Sequence, residues 1–283
     1  MKFLKRIINV FYLGGSLVEE NLKQEQMDYQ LLVDTALLAG EMLLVSGAET
    51  NRVEDTIYRI LDLSGFERCE VLVVTAGIVV TMSDWRKENI TAMRRVGDKQ
   101  TNLGKIAEVN DISRKLCNGE IDLKRAFYLL KHMPVKSYKE VLVYICVIIT
   151  AIGFTILLGG NMLESLLAGI NGVYVVFSRI FNKKYKVNVF VTNMVVSFFM
   201  AFTARAFLLI PGINIELERV IAGSVMILLP GVAITNAIRD TLHADYMAGG
   251  AKIIEAFVAA AAVGVGIGAG LAFGAIAFGG GLV

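Results

Sequence analysis

Five predominantly apolar stretches in the second half of the chain constrain it more than any other feature. A hydrocarbon core of about 30 Å takes about 20 helical residues to cross. Stretches of that kind fall at about 141–158, 162–180, 187–210, 219–238 and 253–278. The charges are partitioned to match. Residues 1–137 hold 19 Lys+Arg and 19 Asp+Glu, which leaves 9 of the 28 basic and 7 of the 26 acidic residues for positions 138–283. A charge-rich front half and a charge-poor back half imply two domains facing different solvents. A net charge of +2 gives no reason to expect nucleic acid as a partner.

In the front half the apolar spacing of Leu31, Leu32, Leu38, Ala39, Met42 and Leu43 predicts a helix, stopped at Gly47 where a left-handed cap is needed. A second helix is expected from about Glu49 to Leu63. The period then falls to two. Residues 70–75 and 78–83 are β-branched runs joined by Ala76-Gly77, which reads as a hairpin, with a weaker third strand at 89–96. Helices at about 103–117 and 122–132 follow, the first closed by Asn118-Gly119 and the second stopped by Pro134. The expected fold class is therefore an α+β cytosolic domain at 29–137, followed by an all-α polytopic membrane domain of five transmembrane helices at 138–283. Residues 1–28 begin with basic Lys2, Lys5 and Arg6 and read as an amphipathic surface helix or a mobile tail. The three cysteines form no CxxC pair, and only His132 and His243 are available beside them, so neither a metal nor a cofactor is expected.

Loop charge orients the back half. The basic loop at 182–186 separates the second and third stretches, while 211–218 carries two acids and no Lys or Arg. The positive-inside rule puts the basic loop in the cytoplasm, with the N-terminal domain inside and the C-terminus outside. Pro230-Gly231 interrupts the fourth stretch, because proline removes a backbone donor and clashes with the preceding turn. A new half-helix starting there would direct free amides and a positive dipole toward an anion. Thr235, Asn236, Arg239 and Asp240 follow within about a turn of one another. Asn193 and Ser197 share a face of the third stretch, and Glu164 shares one of the second with Asn171. Ionisable residues in membrane segments are costly and usually functional. Substrate binding is accordingly expected at Pro230, Gly231, Thr235, Asn236, Arg239, Asn193 and Ser197. Asp240, Glu255 and Glu164 are the carboxylates placed to carry a coupling proton. The glycines at 264, 266, 268, 270 and 274 are read as a helix-packing surface, not a nucleotide loop.

Two passages resemble a known family. LLVDTALLAGEMLLVSGAETNRVEDTI (31–57), with the hairpin EVLVVTAGIVVTMSD (70–84), is similar to the N-terminal domain of the threonine/serine exporter family. LLPGVAITNAIRDTLHADYMAGGAKIIEA (228–256) is similar to that family's Pro-Gly signature. The resemblance implies export of small amino acids or small carboxylates across the cell inner membrane, driven by protons. The family's motifs fall on Ser46, Gly47, Glu49, Thr50, Arg52 and Glu54 in the cytosolic domain, and on Pro230, Gly231, Thr235, Asn236, Arg239, Asp240, Gly249 and Glu255 in the membrane half. Members in one piece carry twice as many spans, so the resemblance points to a two-component branch. There a separate small membrane protein of the same family supplies the other half. Partners expected on this reading are that protein, the lipid bilayer and a small-molecule substrate, with homo-oligomerisation left open. Two other functions stay open. One is a membrane-anchored hydrolase using Glu49, Arg52, Glu54 and Asp55. The other is a regulatory or assembly subunit without a pathway of its own.

Overall fold

The structure is a computed structural model that describes residues 29–85, 87–97, 101–134, 138–210 and 214–278. The expected helix or tail at 1–28 lies outside the described residues. The chain divides into two compact units. One comprises the residues up to Val135 together with Arg239–Gly249, and the other Lys136–Ile238 with Gly250–Val283. Sequence alone assigns 239–249 to the membrane half; the structure groups them with the N-terminal unit.

That unit opens with helix α1 (29–45), whose apolar face supplies Val33, Ala36, Leu37, Leu43 and Leu44 to the core. Gly47 ends it with φ +84°, a conformation that costs a residue with a Cβ, while the Ala48 amide donates to the Leu43 carbonyl. Helix α2 (Thr50–Asp62) buries Val53, Ile57, Ile60 and Leu61 along one stripe. It lies so close to α1 that a Cβ on Gly40 would come within 2.4 Å of Ile57 Cδ1. Three antiparallel strands follow, β1 (Arg68–Val74), β2 (Gly77–Asp84) and β3 (Lys87–Arg95), in the order β1-β2-β3. Val80 pairs with Val71 on one side and Ala92 on the other, and Ile78, Val80 and Met82 point alternately into the core. Helices α3 (Leu103–Cys117) and α4 (Leu123–Lys131) are N-capped by the side chains of Asn102 and Asp122, which accept from the Lys105 and Arg125 amides.

The second unit contains α5 (Glu140–Leu157), α6 (Met162–Tyr185), α7 (Val189–Phe207), α8 (Leu217–Val225), the start of α9 (Gly231–Leu242) and most of α10 (Tyr246–Phe278). Among the described residues, four helices are long and apolar enough to cross a membrane: α5, α6, α7 and α10. The expected fourth span, 219–238, is not one helix. It is split between α8 and α9 by residues 226–230. The physical reason is Pro230, which cannot donate to the helix ladder and disfavours helical backbone in the residue before it.

Small residues set how closely these helices approach. A Cβ on Gly223 of α8 would lie 2.0 Å from Thr155 Oγ1 and 2.8 Å from the Thr155 backbone in α5. On α10, Cβ atoms at Gly266 and Gly270 would meet the carbonyl oxygens of Met194 and Phe198 at 2.3 and 2.4 Å, and one at Gly274 would touch Arg205. These glycines, four apart, form the stripe along which α10 meets α7. Gly264 and Gly268 have nothing within 4 Å. The buried Asn171 ties three helices together. Its Nδ2 donates to Ser224 Oγ of α8 at 3.0 Å, and its Oδ1 accepts from Thr203 Oγ1 of α7 at 2.9 Å.

Candidate functional site

Helix α2 begins in an unusual way. Its N-cap position is Glu49, in extended backbone, and the Glu49 side chain makes no capping hydrogen bond. The first amides of a helix have no partner within it and need an acceptor. Here the acceptor is Asp240, 190 residues away in sequence and 1% exposed. Its Oδ1 accepts from the Thr50 amide at 3.3 Å and its Oδ2 from Thr50 Oγ1 at 3.2 Å. A carboxylate in this position also meets the positive end of the helix dipole. Next to it, Arg239 Nη1 donates to Glu49 Oε1, and Arg52 Nε lies 3.6 Å from the other Glu49 oxygen.

The 239–249 segment is shaped to present these two residues. Ala244 takes a left-handed backbone (φ 66°), and the Asp245 amide donates back to the Asp240 carbonyl at 3.0 Å, closing the corner after α9. Asp245 then caps α10, its Oδ1 accepting from the Ala248 amide at 3.0 Å. Glu54, one turn into α2, accepts from the Val73 amide of the edge strand β1 at 3.0 Å. Burial pushes the Glu54 carboxyl above its ordinary range. The Val73 amide works against that rise, and Asp245 and Asp240 add to it.

Six residues singled out from sequence, Glu49, Thr50, Arg52, Glu54, Arg239 and Asp240, thus lie in one cluster within the N-terminal unit. Ser46 is buried nearby along the chain, its carbonyl accepting from the Asn102 amide at 3.0 Å. The others lie elsewhere. Pro230 and Gly231 start α9 after the break, where the Gly231 and Thr235 positions are exposed and the Thr235 hydroxyl donates to the Gly231 carbonyl. Asn236 is half-buried on the same helix, and Glu255 is exposed on α10. Ser197 is fully buried where α10 passes α7, with its hydroxyl donating to the Asn193 carbonyl at 2.8 Å; Asn193 itself is half-buried. Glu164 is 1% exposed. It completes a capping box with Asn161 and accepts from the Glu216 amide at 2.6 Å, with Arg219 at 4.0 Å, so it joins the first turns of α6 and α8. Asp245 was not anticipated. Its signal was present in the sequence as an Asp three residues before Ala248 at the start of an apolar run, a plain N-cap pattern.

A compact α+β unit on the same chain as four membrane-length apolar helices defines an integral membrane protein. A family model described as "Putative threonine/serine exporter" matches residues 34–274, and the chain belongs to that family. Its membership places it among membrane transporters. No curated protein and no solved structure matches the chain.

Proposed function

We propose that this chain is one subunit of a proton-coupled secondary transporter that exports small hydroxy amino acids of the threonine/serine type, or small carboxylates, across the cell inner membrane. A small membrane protein of the same family would supply the other half. The observation that carries this reading is the meeting of two family motifs: Arg239 and Asp240, eight and nine residues after the Pro-Gly break, hold Glu49 and Thr50.

On this reading the carboxylate common to such substrates sits at the first turn of α9 beyond the Gly231 amide, which already donates to the Leu229 carbonyl at 2.9 Å. Proline at 230 lets the backbone open there, and Gly231 supports the reading because nothing lies within 4 Å of where its Cβ would be. That glycine is not required by packing. Thr235 and Asn236 supply polar contacts one turn on. Arg239 and Asp240 then act as positioning residues, fixing the end of α9 through their partners on α2. Uptake of a proton by Glu54, which the neighbouring Asp245 and Asp240 favour, changes the charge beside the Asp240–Thr50 contact and frees α9 to change its setting during the cycle. Loop charge favours a cytoplasmic N-terminal unit, and α8 with α9 together are assigned as a broken span, which places the C-terminus outside.

Reconstitution in liposomes tests this. The chain together with its small partner should move labelled threonine, serine or succinate, faster when a pH gradient is imposed. Replacement of Pro230 by Ala with Gly231 by Leu should lower flux at least roughly tenfold, the worth of one charge-assisted hydrogen bond. Absence of flux with any of the three solutes, or substrate turnover without flux, would overturn the proposal.

A further inference from the structure

Between α6 and α7 runs a groove of about 590 Å³ whose floor and walls are carbon. Val173, Phe177 and Phe181 line it from α6, and Val191, Val195 and Phe199 from α7. Three hydroxyl residues border it: Ser178 Oγ donates inward to the Val175 carbonyl at 2.8 Å, Thr192 Oγ1 to the Asn188 carbonyl at 3.1 Å, and Tyr174 stacks its ring on Phe199 with centroids 5.9 Å apart. Along α6 the lining from Val173 to Phe181 spans roughly 12 Å at the helical rise. Toward one end of the groove Asn182 links the two helices, its Nδ2 donating to Thr192 Oγ1 at 3.0 Å.

At that end the chemistry changes abruptly. Lys184 continues the helical face that carries Phe177 and Phe181, and Lys186 immediately precedes the lining residue Val187. Lys183, Lys184 and Lys186 are all exposed; Lys183 is engaged by Glu140 of α5, and the Lys184 ammonium lies 5.3 Å from the centroid of the Tyr185 ring. Lys186 caps α6 in left-handed backbone, which fixes where that cation leaves the helix. An apolar slot between two membrane-length helices, with two exposed ammonium groups at one mouth, is complementary to a molecule with an apolar tail and an anionic head. We infer that the groove between α6 and α7 binds an anionic phospholipid, with an acyl chain along Phe177, Val195 and Phe199 and the phosphate at Lys184 and Lys186. Basic pockets beside membrane helices recruit anionic headgroups in this way. The inference rests on the membrane unit alone and stands or falls separately from the transported solute.

The test uses the purified full chain, delipidated and incubated in mixed micelles holding equal phosphatidylglycerol and phosphatidylcholine of the same acyl chains, with retained lipid read by native mass spectrometry. Wild type should retain phosphatidylglycerol over phosphatidylcholine. Replacing Lys184 and Lys186 by Gln should reduce that preference on the order of tenfold while leaving total lipid nearly unchanged. Val195→Trp, which fills the slot from a position already exposed, should reduce retention of both lipids. Equal retention of the two lipids by wild type would mean boundary lipid only and overturn the inference. So would an unchanged preference in the double Gln variant. Retention unaffected by Val195→Trp, with cysteines at 195 crosslinking two copies, would assign the slot to a neighbouring helix instead.

Discussion

Removing the Asp240 carboxylate should loosen the start of α2 far from it in sequence, and the size of the effect can be worked from the geometry. Two hydrogen bonds reach Thr50, at 3.3 and 3.2 Å. Bonds to a charged group are worth about 1.5–3 kcal/mol each, but these lie at the long end of the range, so about 1 kcal/mol each is appropriate. Asp240 is buried and Thr50 is buried, so water cannot readily substitute for the lost acceptor. Loss of a helix N-cap measured in other proteins is typically about 1 kcal/mol, with a smaller contribution from the dipole. Asp240→Ala should therefore cost the α2 N-terminus about 2–3 kcal/mol. Asp240→Asn, which keeps one oxygen acceptor and loses the charge, should cost about 1 kcal/mol. Hydrogen exchange of amides in residues 50–56, measured on the full chain in detergent, reports this local opening without needing global two-state unfolding. Exchange there should rise roughly 30–150-fold in Asp240→Ala and about fivefold in Asp240→Asn. Combining Asp240→Asn with Thr50→Val should show a coupling of about 1 kcal/mol, because the two changes delete the same bond. If exchange in Asp240→Ala rises less than about threefold and the double variant is simply additive, the contact carries no energy and the reasoning is wrong.

Two further outcomes follow from other parts of the fold. Gly266→Val should separate α10 from α7 at a cost of about 1–3 kcal/mol, since the new side chain meets the Met194 carbonyl, whereas Gly264→Ala should be close to neutral; detergent thermal unfolding of the pair distinguishes them. Burial holds the Glu54 carboxyl above its ordinary 4.5, so the folded unit keeps a proton that the unfolded chain has released. Stability from this residue is thus greatest below about pH 4.5 and falls as pH rises through the raised folded value, and Glu54→Gln should flatten that fall in near-ultraviolet unfolding curves.

Local elements were legible because their signals are local. The β-branched run at 78–83 forms a strand whose burial alternates, α3 ends at Cys117 before Asn118-Gly119, and Gly47 takes the left-handed backbone its position demands. The interruption at Pro230 was readable for the same reason, since proline acts on its own turn. Its consequence for span length was not, because a broken pattern and a continuous apolar run have similar hydropathy. The glycine run on α10 was correctly read as packing, but sequence could not say which glycines touch. Gly266, Gly270 and Gly274 do, and Gly264 and Gly268 do not, a distinction fixed by the rotation of α10 against α7. The candidate site was legible in its residue types and not in its grouping. Glu49 and Arg239 carry no periodic or local mark that pairs them, and Glu164 and Asn171, read as one face, find partners in Glu216 and Ser224 that lie beyond any helical repeat.

The acceptor for the first turn of α2 also sets a schedule. At ribosomal speeds of about 5–20 residues per second, Asp240 emerges roughly 10–40 s after Thr50, with α5, α6, α7 and α8 made in between. Until then the N-terminal unit waits with Thr50 unbonded to the carboxylate that will hold it. Its last piece reaches it only once the chain has been delivered to the bilayer. A chain whose apolar helices stall would keep the core of its front half but leave the first turn of α2, with Glu49 and Thr50, without its acceptor.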